Sequence, residues 1–217
     1  MTKKILNLII LGSAGSGKGT QANLLAQKFG LKIIETGELV RKAEKEKTPQ
    51  GKLMFQMDKA GMHFSDDLIF NLFQSVFKKI KNNQGLLIDG YPRTVGQAWD
   101  LSRLLAPRKS QLTYAIYFRI SEKESLSRLL NRAVCVNCKK ILSSRKIKKC
   151  PNCGGAVEVR DYDKDEKSTK KRIAWFWERV IPVVEFYRQK GMLIEVDGVG
   201  LIEKVFEDTV RKIKNKI

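Results

Sequence analysis

A glycine-rich stretch that directly follows an apolar run is the feature that most limits how this chain can fold. The sequence ILNLIIL at 5–11 is followed by GSAGSGKGT at 12–20, and a helical pattern begins at Lys18. A buried strand, the spacing Gly12-x4-Gly17-Lys18 and a helix together are typical of a phosphate-binding loop, whose backbone N–H groups surround a phosphate chain. We therefore expect this loop and the N-terminus of the helix to bind a phosphorylated ligand.

One position of the loop differs from its commonest form. Gly19 stands where a Ser or Thr usually offers its hydroxyl to a magnesium ion, and Thr20 follows one residue later. We therefore expect Mg²⁺ to be held more through phosphate oxygens and water than through the loop. A glycine-rich turn without any ligand is the alternative, and the strand, the spacing and the lysine together disfavour it.

Apolar runs of strand length alternate with amphipathic segments along the chain, which is typical of a parallel sheet with crossover helices. The predicted strands are 4–11, 32–35, 85–89, 112–120 and 192–197. The predicted helices are 18–29, 67–79, 95–105, 123–132, 200–214 and one long helix over 167–188, which Pro182 bends. The fold class is therefore α/β, with an open five-stranded parallel sheet flanked by helices.

Length and charge limit the kinds of protein that fit this pattern. The 217 residues suit one main domain with small additions, and no apolar run approaches the roughly 20 residues that span a membrane. No cleavable signal follows Met1, so we expect a cytoplasmic protein. The net charge of +19 favours anionic partners, either nucleotides or nucleic acid, although solvated helix faces explain the excess equally well.

A second polar motif follows another predicted strand. The sequence LLIDGYPRT at 86–94 ends a buried strand with Asp89 and places Arg93 in the next loop. Ligands of open α/β sheets bind at the carboxyl ends of the strands, so both side chains should face the crevice of the phosphate-binding loop. Asp89 is suited to orienting metal-bound water and Arg93 to forking onto a phosphate.

The segment 133–159 lacks helical periodicity, is dense in lysine and holds all four cysteines. The pairs CVNC at 135–138 and CPNC at 150–153, with eleven residues between them, are spaced as two knuckles for one tetrahedral zinc ion. A reducing cytoplasm disfavours disulfides, and a catalytic thiol would not explain two pairs. We therefore predict an inserted subdomain with a structural Zn²⁺. Its ligands are Cys135, Cys138, Cys150 and Cys153.

Four motifs in order, GSAGSGKGT, TGELVR at 36–41, LLIDGYPRT and Gln97, strongly resemble the adenylate kinase family of nucleoside monophosphate kinases. The likeness covers nearly the whole chain. It implies a P-loop kinase core at 1–34, 66–131 and 165–217, a helical acceptor-binding segment at 35–65 and a zinc lid at 132–164. It also implies a monomer that uses Mg²⁺ to transfer a phosphoryl group reversibly from ATP to AMP, giving two ADP, with nucleic acid an unlikely partner.

The resemblance also implies the residues of two nucleotide sites and of the reaction centre. The ATP-binding residues are Gly12, Gly15, Ser16, Gly17, Lys18, Gly19, Thr20, Arg128 and Arg132. The AMP-binding residues are Thr36, Gly37, Arg41, Phe64, Gly90, Arg93, Gln97, Arg160 and Arg172. The residues assigned to catalysis are Lys18, Asp89, Arg93, Arg132, Arg160 and Arg172. Thr36 and Gln97 are expected near the AMP base, and Arg41 and Arg93 on its phosphate.

The sequence departs from the family pattern mainly in the expected lid. The span between the cysteine pairs is shorter than usual, and Ala133 replaces the second arginine of a usual Gly-Arg-Arg run. Lys164 replaces the second of two usual aspartates and leaves Asp163. Phe64 stands at an acceptor-site position that is usually a small aliphatic residue. These departures bear on lid closure and on the choice of nucleotide base.

Two other functions remain compatible with parts of the sequence. A UMP/CMP kinase would share the fold and the chemistry, although such enzymes usually carry asparagine at the position of Gln97. A nucleic-acid-binding P-loop protein could use a basic zinc ribbon to grip phosphates. That function would leave Thr36, Arg41 and Arg93 without a role.

Overall fold

Two β-sheets organise the chain in the computed structural model, which describes residues 5–46, 48–59, 64–108, 111–160 and 163–217. The strands in chain order are β1 (Ile5–Gly12), β2 (Lys32–Glu35), β3 (Leu86–Asp89), β4 (Gln111–Arg119), β5 (Ala133–Cys135), β6 (Ile141–Leu142), β7 (Val157–Glu158) and β8 (Leu193–Asp197). The larger sheet has five parallel strands in the order β2-β3-β1-β4-β8, which confirms the predicted fold class.

Helices connect these strands and cover the larger sheet. They are α1 (Lys18–Phe29), α2 (Thr36–Lys45), α3 (Pro49–Lys59), α4 (Asp66–Phe77), α5 (Val95–Leu105), α6 (Glu122–Asn131), α7 (Glu166–Arg179), α8 (Ile181–Gln189) and α9 (Ile202–Lys214). Most lie within one or two residues of the predicted bounds. The helices α2 and α3 occupy the segment that the family resemblance describes only as helical.

Polar side chains fix where four of these helices begin. The hydroxyl oxygens of Ser65, Thr94 and Ser121 accept hydrogen bonds from main-chain N–H groups in the first turns of α4, α5 and α6. The Asp165 carboxylate does the same at α7. Each such cap contributes about 1 kcal/mol by satisfying a donor that the helix cannot satisfy itself. The caps therefore fix the residue at which each preceding loop ends and its helix begins.

The single bent helix predicted over 167–188 is wrong, because the structure has two helices with a break at Val180. Pro182 lies in the first turn of α8, where its missing N–H group is tolerated, whereas inside a continuous helix its ring would clash with the preceding turn. The main-chain oxygen of Val180 accepts hydrogen bonds from Val183 and Val184 and so starts the new helix. Apolar residues of both helices still pack into the same core.

The sheet is buried on both faces. Along β1, Ile9 and Leu11 pack against α4, α5, α7 and α8, whereas Leu8 and Ile10 pack against α1 and α9. Successive residues of a strand point to opposite faces, so a strand that is covered twice must be apolar at every position. This explains why β1 is an unbroken apolar run except at Asn7, whose side-chain oxygen accepts the main-chain N–H of Leu86.

The register of the parallel strands brings three functional segments to one edge. Ile10 of β1 pairs with Asp89 of β3, and Asp89 pairs with Glu35 of β2. The glycine-rich loop after β1, the start of α2 and the loop after β3 therefore leave the sheet side by side. This edge is the crevice in which open α/β sheets bind ligands.

The cysteine-rich segment between α6 and α7 forms the smaller sheet, which the sequence did not predict. Its strand order is β6-β5-β7, and both pairings are antiparallel. A further bridge joins Lys149 to Ala156 near the second cysteine pair. Strands of two or three residues carry too little periodicity to be recognised in a sequence.

Within the described residues, no helix combines the length and the apolar character needed to cross a membrane. The predicted monomeric state and the predicted cytoplasmic location stay predictions.

Candidate functional site

The glycine-rich loop after β1 has a backbone conformation that depends on glycine. A Cβ atom added to Gly12 would lie 2.5 Å from Ser16 Oγ, and Gly15 and Gly17 have left-handed φ angles of 83° and 82° that L side chains rarely adopt. Only glycine suits these positions. The hydroxyl oxygens of Ser13 and Ser16 are buried and have no hydrogen-bond partner among the described residues. The loop therefore holds polar groups ready for an anionic ligand.

Side chains of helix α6 form hydrogen bonds with the main chain of the glycine-rich loop. Ser125 Oγ donates to the main-chain oxygen of Ala14 over 2.5 Å, and Arg128 Nη1 donates to the main-chain oxygens of Gly15 at 3.3 Å and Gly198 at 3.1 Å. Glu124 fixes the same guanidinium with a bond of 2.6 Å from Nε. Arg128, which the resemblance assigns to ATP, thus joins the loop to the segment after β8.

Basic side chains gather around Lys18 and the buried carboxylate of Asp89 at this edge. Asp89 is only 8% exposed. Loss of solvent around the Lys18 ammonium lowers its pKa to about 8, the charge of Asp89 opposes this shift, and the charges of Arg172, Arg93 and Arg132 add to it. Burial raises the pKa of Asp89, and Lys18 opposes that shift. The surplus of positive charge suits this crevice to a ligand with several negative charges.

The first turn of α1 borders the same space. A Cβ atom on Gly19 would lie 3.9 Å from Asp89 Oδ2, and the ammonium of Lys18 donates to the main-chain oxygen of Ser13 at 3.3 Å. Thr20 is the only residue of α1 with a side-chain hydroxyl, and it is half-buried. The carboxylate of Asp89 therefore faces the N-terminus of α1, where an anion and its counter-cation would meet.

Arg93 lies beside the start of α2. Its Nε donates to the main-chain oxygen of Gly90 at 2.9 Å, and its guanidinium carbon is 5.5 Å from the centre of the Trp175 ring. A Cβ atom on Gly90 would lie 3.4 Å from Arg93 Nη2 and 3.6 Å from Thr36 Cβ. Glycine therefore allows the arginine and Thr36 to approach each other. The aromatic ring fixes the plane of the guanidinium.

Thr36 begins the helix that follows β2, and Arg41 lies further along the same helix. Thr36 is 2% exposed, and its buried hydroxyl has no hydrogen-bond partner among the described residues. Arg41 Nη2 forms an exposed ion pair of 3.0 Å with Glu35, and a Cβ atom on Gly37 would lie 3.1 Å from Arg41 Nη1. An unpaired buried hydroxyl is unfavourable, so this position suits a polar ligand group.

Asp163 joins two of the predicted arginines, and sequence reasoning treated it only as the remaining member of a usual pair. Its side chain is fully buried. One carboxylate oxygen accepts from Arg132 Nε at 2.9 Å and Nη2 at 2.6 Å, and the other accepts from Arg172 Nη1 at 3.2 Å. Arg145 also donates to its main-chain oxygen. No sequence pattern reveals this role, because the burial of Asp163 and its contacts with arginines from separate segments arise only in the fold.

Two further predicted residues lie next to described elements. Phe64 is half-buried and directly precedes Ser65, the cap of α4. Arg160 is half-buried and comes two residues after β7. Their part in the site stays a prediction.

The four cysteines form a cluster that fits a tetrahedral metal ion. Their sulfur atoms all lie within 4.8 Å of one another, with Cys135 and Cys153 at 3.5 Å and Cys138 and Cys150 at 3.6 Å. A zinc ion with Zn–S bonds of about 2.3 Å separates its four sulfurs by about 3.8 Å. The main-chain N–H of Lys140 lowers the pKa of Cys138 to about 6, which favours the thiolate that binds metals.

Comparison with known proteins decides the family. The model of the adenylate kinase family matches residues 10–192. This chain belongs to the adenylate kinase family. An adenylate kinase of Elusimicrobium minutum is 36% identical over 213 residues, which are 96% of this chain and 99% of that protein. Adenylate kinases of Azobacteroides pseudotrichonymphae and Geotalea daltonii are 35% and 33% identical, over 97% and 94% of this chain and 98% of each relative.

Membership of the adenylate kinase family confirms the resemblance inferred from the four motifs. It also accounts for the chemistry of the crevice, because members of a kinase family act on ATP together with Mg²⁺. Lys18 and the arginines whose charges act on it, Arg93, Arg132 and Arg172, give this crevice a surplus of positive charge.

We expect MgATP to bind more weakly as the pH rises through about 8. The Lys18 ammonium, whose pKa is lowered to about 8, loses there the charge that attracts a polyphosphate. Titration calorimetry from about pH 7 to 9.5 checks this, because the pKa sets the range over which affinity falls. Lys18→Arg keeps its charge throughout, so its residual affinity should stay level. A level affinity for the unchanged chain would contradict the assignment.

Folding stability should respond to the same group in the opposite sense. Lys18 keeps its ordinary pKa of 10.5 in the unfolded chain, so the folded state binds fewer protons between about pH 8 and 10.5. The unfavourable burial of the charge is fully present below pH 8 and is relieved as the pH rises. In this range the contribution of Lys18 to the free energy of unfolding therefore increases while ATP affinity decreases.

Proposed function

We propose that this chain transfers a phosphoryl group reversibly from ATP to AMP, giving two ADP, in a reaction that depends on Mg²⁺. One observation carries the proposal: in a member of the adenylate kinase family, the charges of Asp89, Arg93, Arg132 and Arg172 all act on Lys18 at the carboxyl edge of the sheet. Two adjacent nucleotides with many negative charges are the ligands that such a cluster suits.

The reaction needs no catalytic base in the protein. The acceptor is a phosphate oxygen, and a phosphomonoester with a second pKa of about 6 is mostly ionised at neutral pH. The main barrier is the repulsion between two anions. Catalysis therefore consists of aligning donor and acceptor, spreading negative charge over cationic groups, and keeping water out.

We assign the donor side to the glycine-rich loop. Its N–H groups and Lys18 bind the phosphate chain of ATP, and the buried hydroxyls of Ser13 and Ser16, which have no partner among the described residues, are available to the same ligand. Mg²⁺ neutralises charge on the phosphates when it is bound. Asp89 is the carboxylate best suited to orienting the water around that ion, because it faces the first turn of α1.

We assign the acceptor side to the start of α2 and the loop after β3. Thr36 and Gln97 lie near the base of AMP, and Arg41 and Arg93 bind its phosphate. The exposed ion pair of Arg41 with Glu35 does not prevent this, since such pairs contribute about 1 kcal/mol or less and an anionic phosphate competes with them. The carboxylate of Asp163 holds Arg132 and Arg172 on the far side of the reaction centre.

We propose that 1–34, 66–131 and 165–217 form the core, that 35–65 binds the acceptor and that 132–164 is a lid. The first insertion begins where β2 ends, and the second leaves the core after α6 and returns at α7. A lid of this kind would exclude water, so that ATP is not hydrolysed instead of transferred. Arg132 and Arg160 then lie at the two ends of the lid.

The nucleotide preference is tested by a coupled assay of phosphoryl transfer from ATP to AMP, CMP, UMP and GMP. We expect AMP to give the highest kcat/KM, since the proposed base contacts come from Thr36 and Gln97. A higher value for CMP or UMP would replace the proposal with a UMP/CMP kinase. Absence of transfer to every acceptor, together with tight binding to nucleic acid, would favour the nucleic-acid-binding alternative.

Replacement of Arg93 tests the reaction centre. Loss of one preorganised charge contact costs about 3 to 4 kcal/mol in such sites, so Arg93→Ala should lower kcat by roughly 10² to 10³. Arg103, on the exposed side of α5, serves as the matched control, and Arg103→Ala should keep its activity within about twofold. Steady-state kinetics at saturating nucleotides measures both variants. Near-normal turnover of Arg93→Ala would remove this residue from the reaction centre.

We further propose that the cysteine cluster binds a structural Zn²⁺ that takes no part in the chemistry. Four thiolates fill a tetrahedral ion and leave no open position for water or phosphate. The segment between α6 and α7 has few buried apolar side chains, so its order depends largely on a bound metal. The lid would lose its order when the ion is removed.

Replacement of one cysteine ligand tests whether the cluster binds zinc. Cys150→Ser should abolish stoichiometric zinc and lower the unfolding temperature, while kinase activity stays measurable below that temperature. Elemental analysis, calorimetry and the coupled assay measure these effects, and Ser143→Ala, at an exposed position between the cysteine pairs, is the control. The proposal fails if the chain, purified with its cysteines reduced, contains no zinc.

A further inference from the structure

The side-chain amide of Gln97 is held at both of its polar atoms. Its Oε1 accepts a hydrogen bond of 2.7 Å from the main-chain N–H of Arg93, and its Nε2 donates over 2.8 Å to Asp66 Oδ1. Gln97 is 3% exposed, so water has little access to its amide, whereas Asp66 is an exposed residue. Asp66 was not among the residues that the sequence assigned to the site.

Only one orientation of this amide satisfies both partners. The N–H of Arg93 can only donate, and the ionised carboxylate of Asp66 can only accept. A flip of the Gln97 amide would set its NH₂ group against the N–H of Arg93 and its oxygen against the carboxylate. Both hydrogen bonds would be lost, and like dipoles would face each other. The two partners therefore determine the orientation chemically.

The carboxylate of Asp66 is itself fixed by two helix starts. Its Oδ2 accepts a bond of 2.6 Å from Thr94 Oγ1, and that hydroxyl caps α5 by accepting from the main-chain N–H of Gln97 at 3.2 Å. Asp66 is also the first residue of α4, directly after its cap Ser65. Movement of the carboxylate would therefore disturb the beginnings of both α4 and α5.

We propose that Asp66, by locking the amide of Gln97, makes the acceptor site select the hydrogen-bond polarity of the incoming base. A primary amide has two acceptor lone pairs and two N–H groups, and each partner uses one of them. One acceptor and one donor remain, in a fixed order. This inference rests on the function proposed above, and it makes Asp66 a positioning residue, because it acts on the base through Gln97.

The bases differ in the order of hydrogen-bond donor and acceptor that they present to such an amide. Adenine presents an amino donor at C6 and an acceptor at N1, whereas hypoxanthine and guanine present an acceptor at C6 and a donor at N1. A freely flipping amide would serve both orders, but a locked amide leaves polar groups unpaired with the reversed order, which a buried site rejects strongly. Cytosine shares the order of adenine, and uracil shares that of hypoxanthine.

The experiment compares kcat/KM for AMP and for IMP. The purine of IMP has the same size but presents its donor and acceptor in the reversed order. In Asp66→Asn, the new amide can present either a carbonyl or an NH₂ group to Gln97 and so tolerates the flip. We expect the ratio of IMP to AMP kcat/KM to rise at least about tenfold above that of the unchanged chain. Each ratio comes from one preparation, so loss of folded enzyme cancels.

Two further variants complete the test. Asp67 is an exposed carboxylate in the same turn of α4, so Asp67→Asn removes the same charge near the helix N-terminus and should leave the ratio unchanged. Asp66→Ala removes the acceptor without supplying a donor. Its ratio should rise less than that of Asp66→Asn, because the N–H of Arg93 still favours the original orientation.

The outcomes separate the inference from the function on which it rests. The inference is overturned if the unchanged chain phosphorylates AMP but both Asp66 variants have the same ratio of IMP to AMP kcat/KM as that chain. It is also overturned if both variants lose turnover of AMP and IMP in parallel. In either case Asp66 serves the fold alone. Failure of the unchanged chain to phosphorylate AMP would instead overturn the proposed function. A rise in the ratio for Asp66 variants, absent in Asp67→Asn, supports the locked amide.

Discussion

Excess positive charge at the carboxyl edge of one parallel sheet is the constraint on which the rest of this structure depends. Cations held close together repel one another, and the lowered pKa of Lys18 reflects both this repulsion and its loss of solvent. The fold holds the charges there because the backbone of β1 and β3 ends at that edge and because a few carboxylates are buried among them. The nucleotide phosphates of an adenylate kinase family member would supply the missing negative charge.

Three carboxylates therefore organise the site; Asp89 and Asp163 are buried, whereas Asp66 is an exposed residue. Asp89 faces Lys18 and the start of α1, Asp163 accepts hydrogen bonds from Arg132 and Arg172, and Asp66 fixes Gln97. None of these carboxylates needs to react. Each one orients a donor group, and the direction of that donor then determines what a ligand meets. In this chain the positions of the acids are as informative about the site as those of the arginines.

The local elements of the larger sheet could be predicted because their causes are local. The apolar run of β1, the turn at Gly15 and Gly17 and the caps at Thr94 and Ser121 all lie within a few residues of the structure they produce. The break at Val180 could not be separated from a bend, because the pattern of apolar residues continues through both helices. The short strands of the smaller sheet have too few residues for a recognisable period, and β5 pairs with β7 only across the cysteine-rich segment.

The sequence alone determined the phosphate-binding loop, the strand and helix order, the cysteine spacing and the family resemblance, since each of these is set by the identity and spacing of residues. Only the tertiary structure decided that Asp163 joins Arg132 to Arg172 and that Asp66 meets Gln97. Asp163 is 31 positions from Arg132, and Asp66 is 31 positions from Gln97. Such pairs come together because separate helices end at the same edge of the sheet. Hydrogen bonds between side chains on different elements leave no periodic trace in the sequence, so their partners appear only when the packing is known.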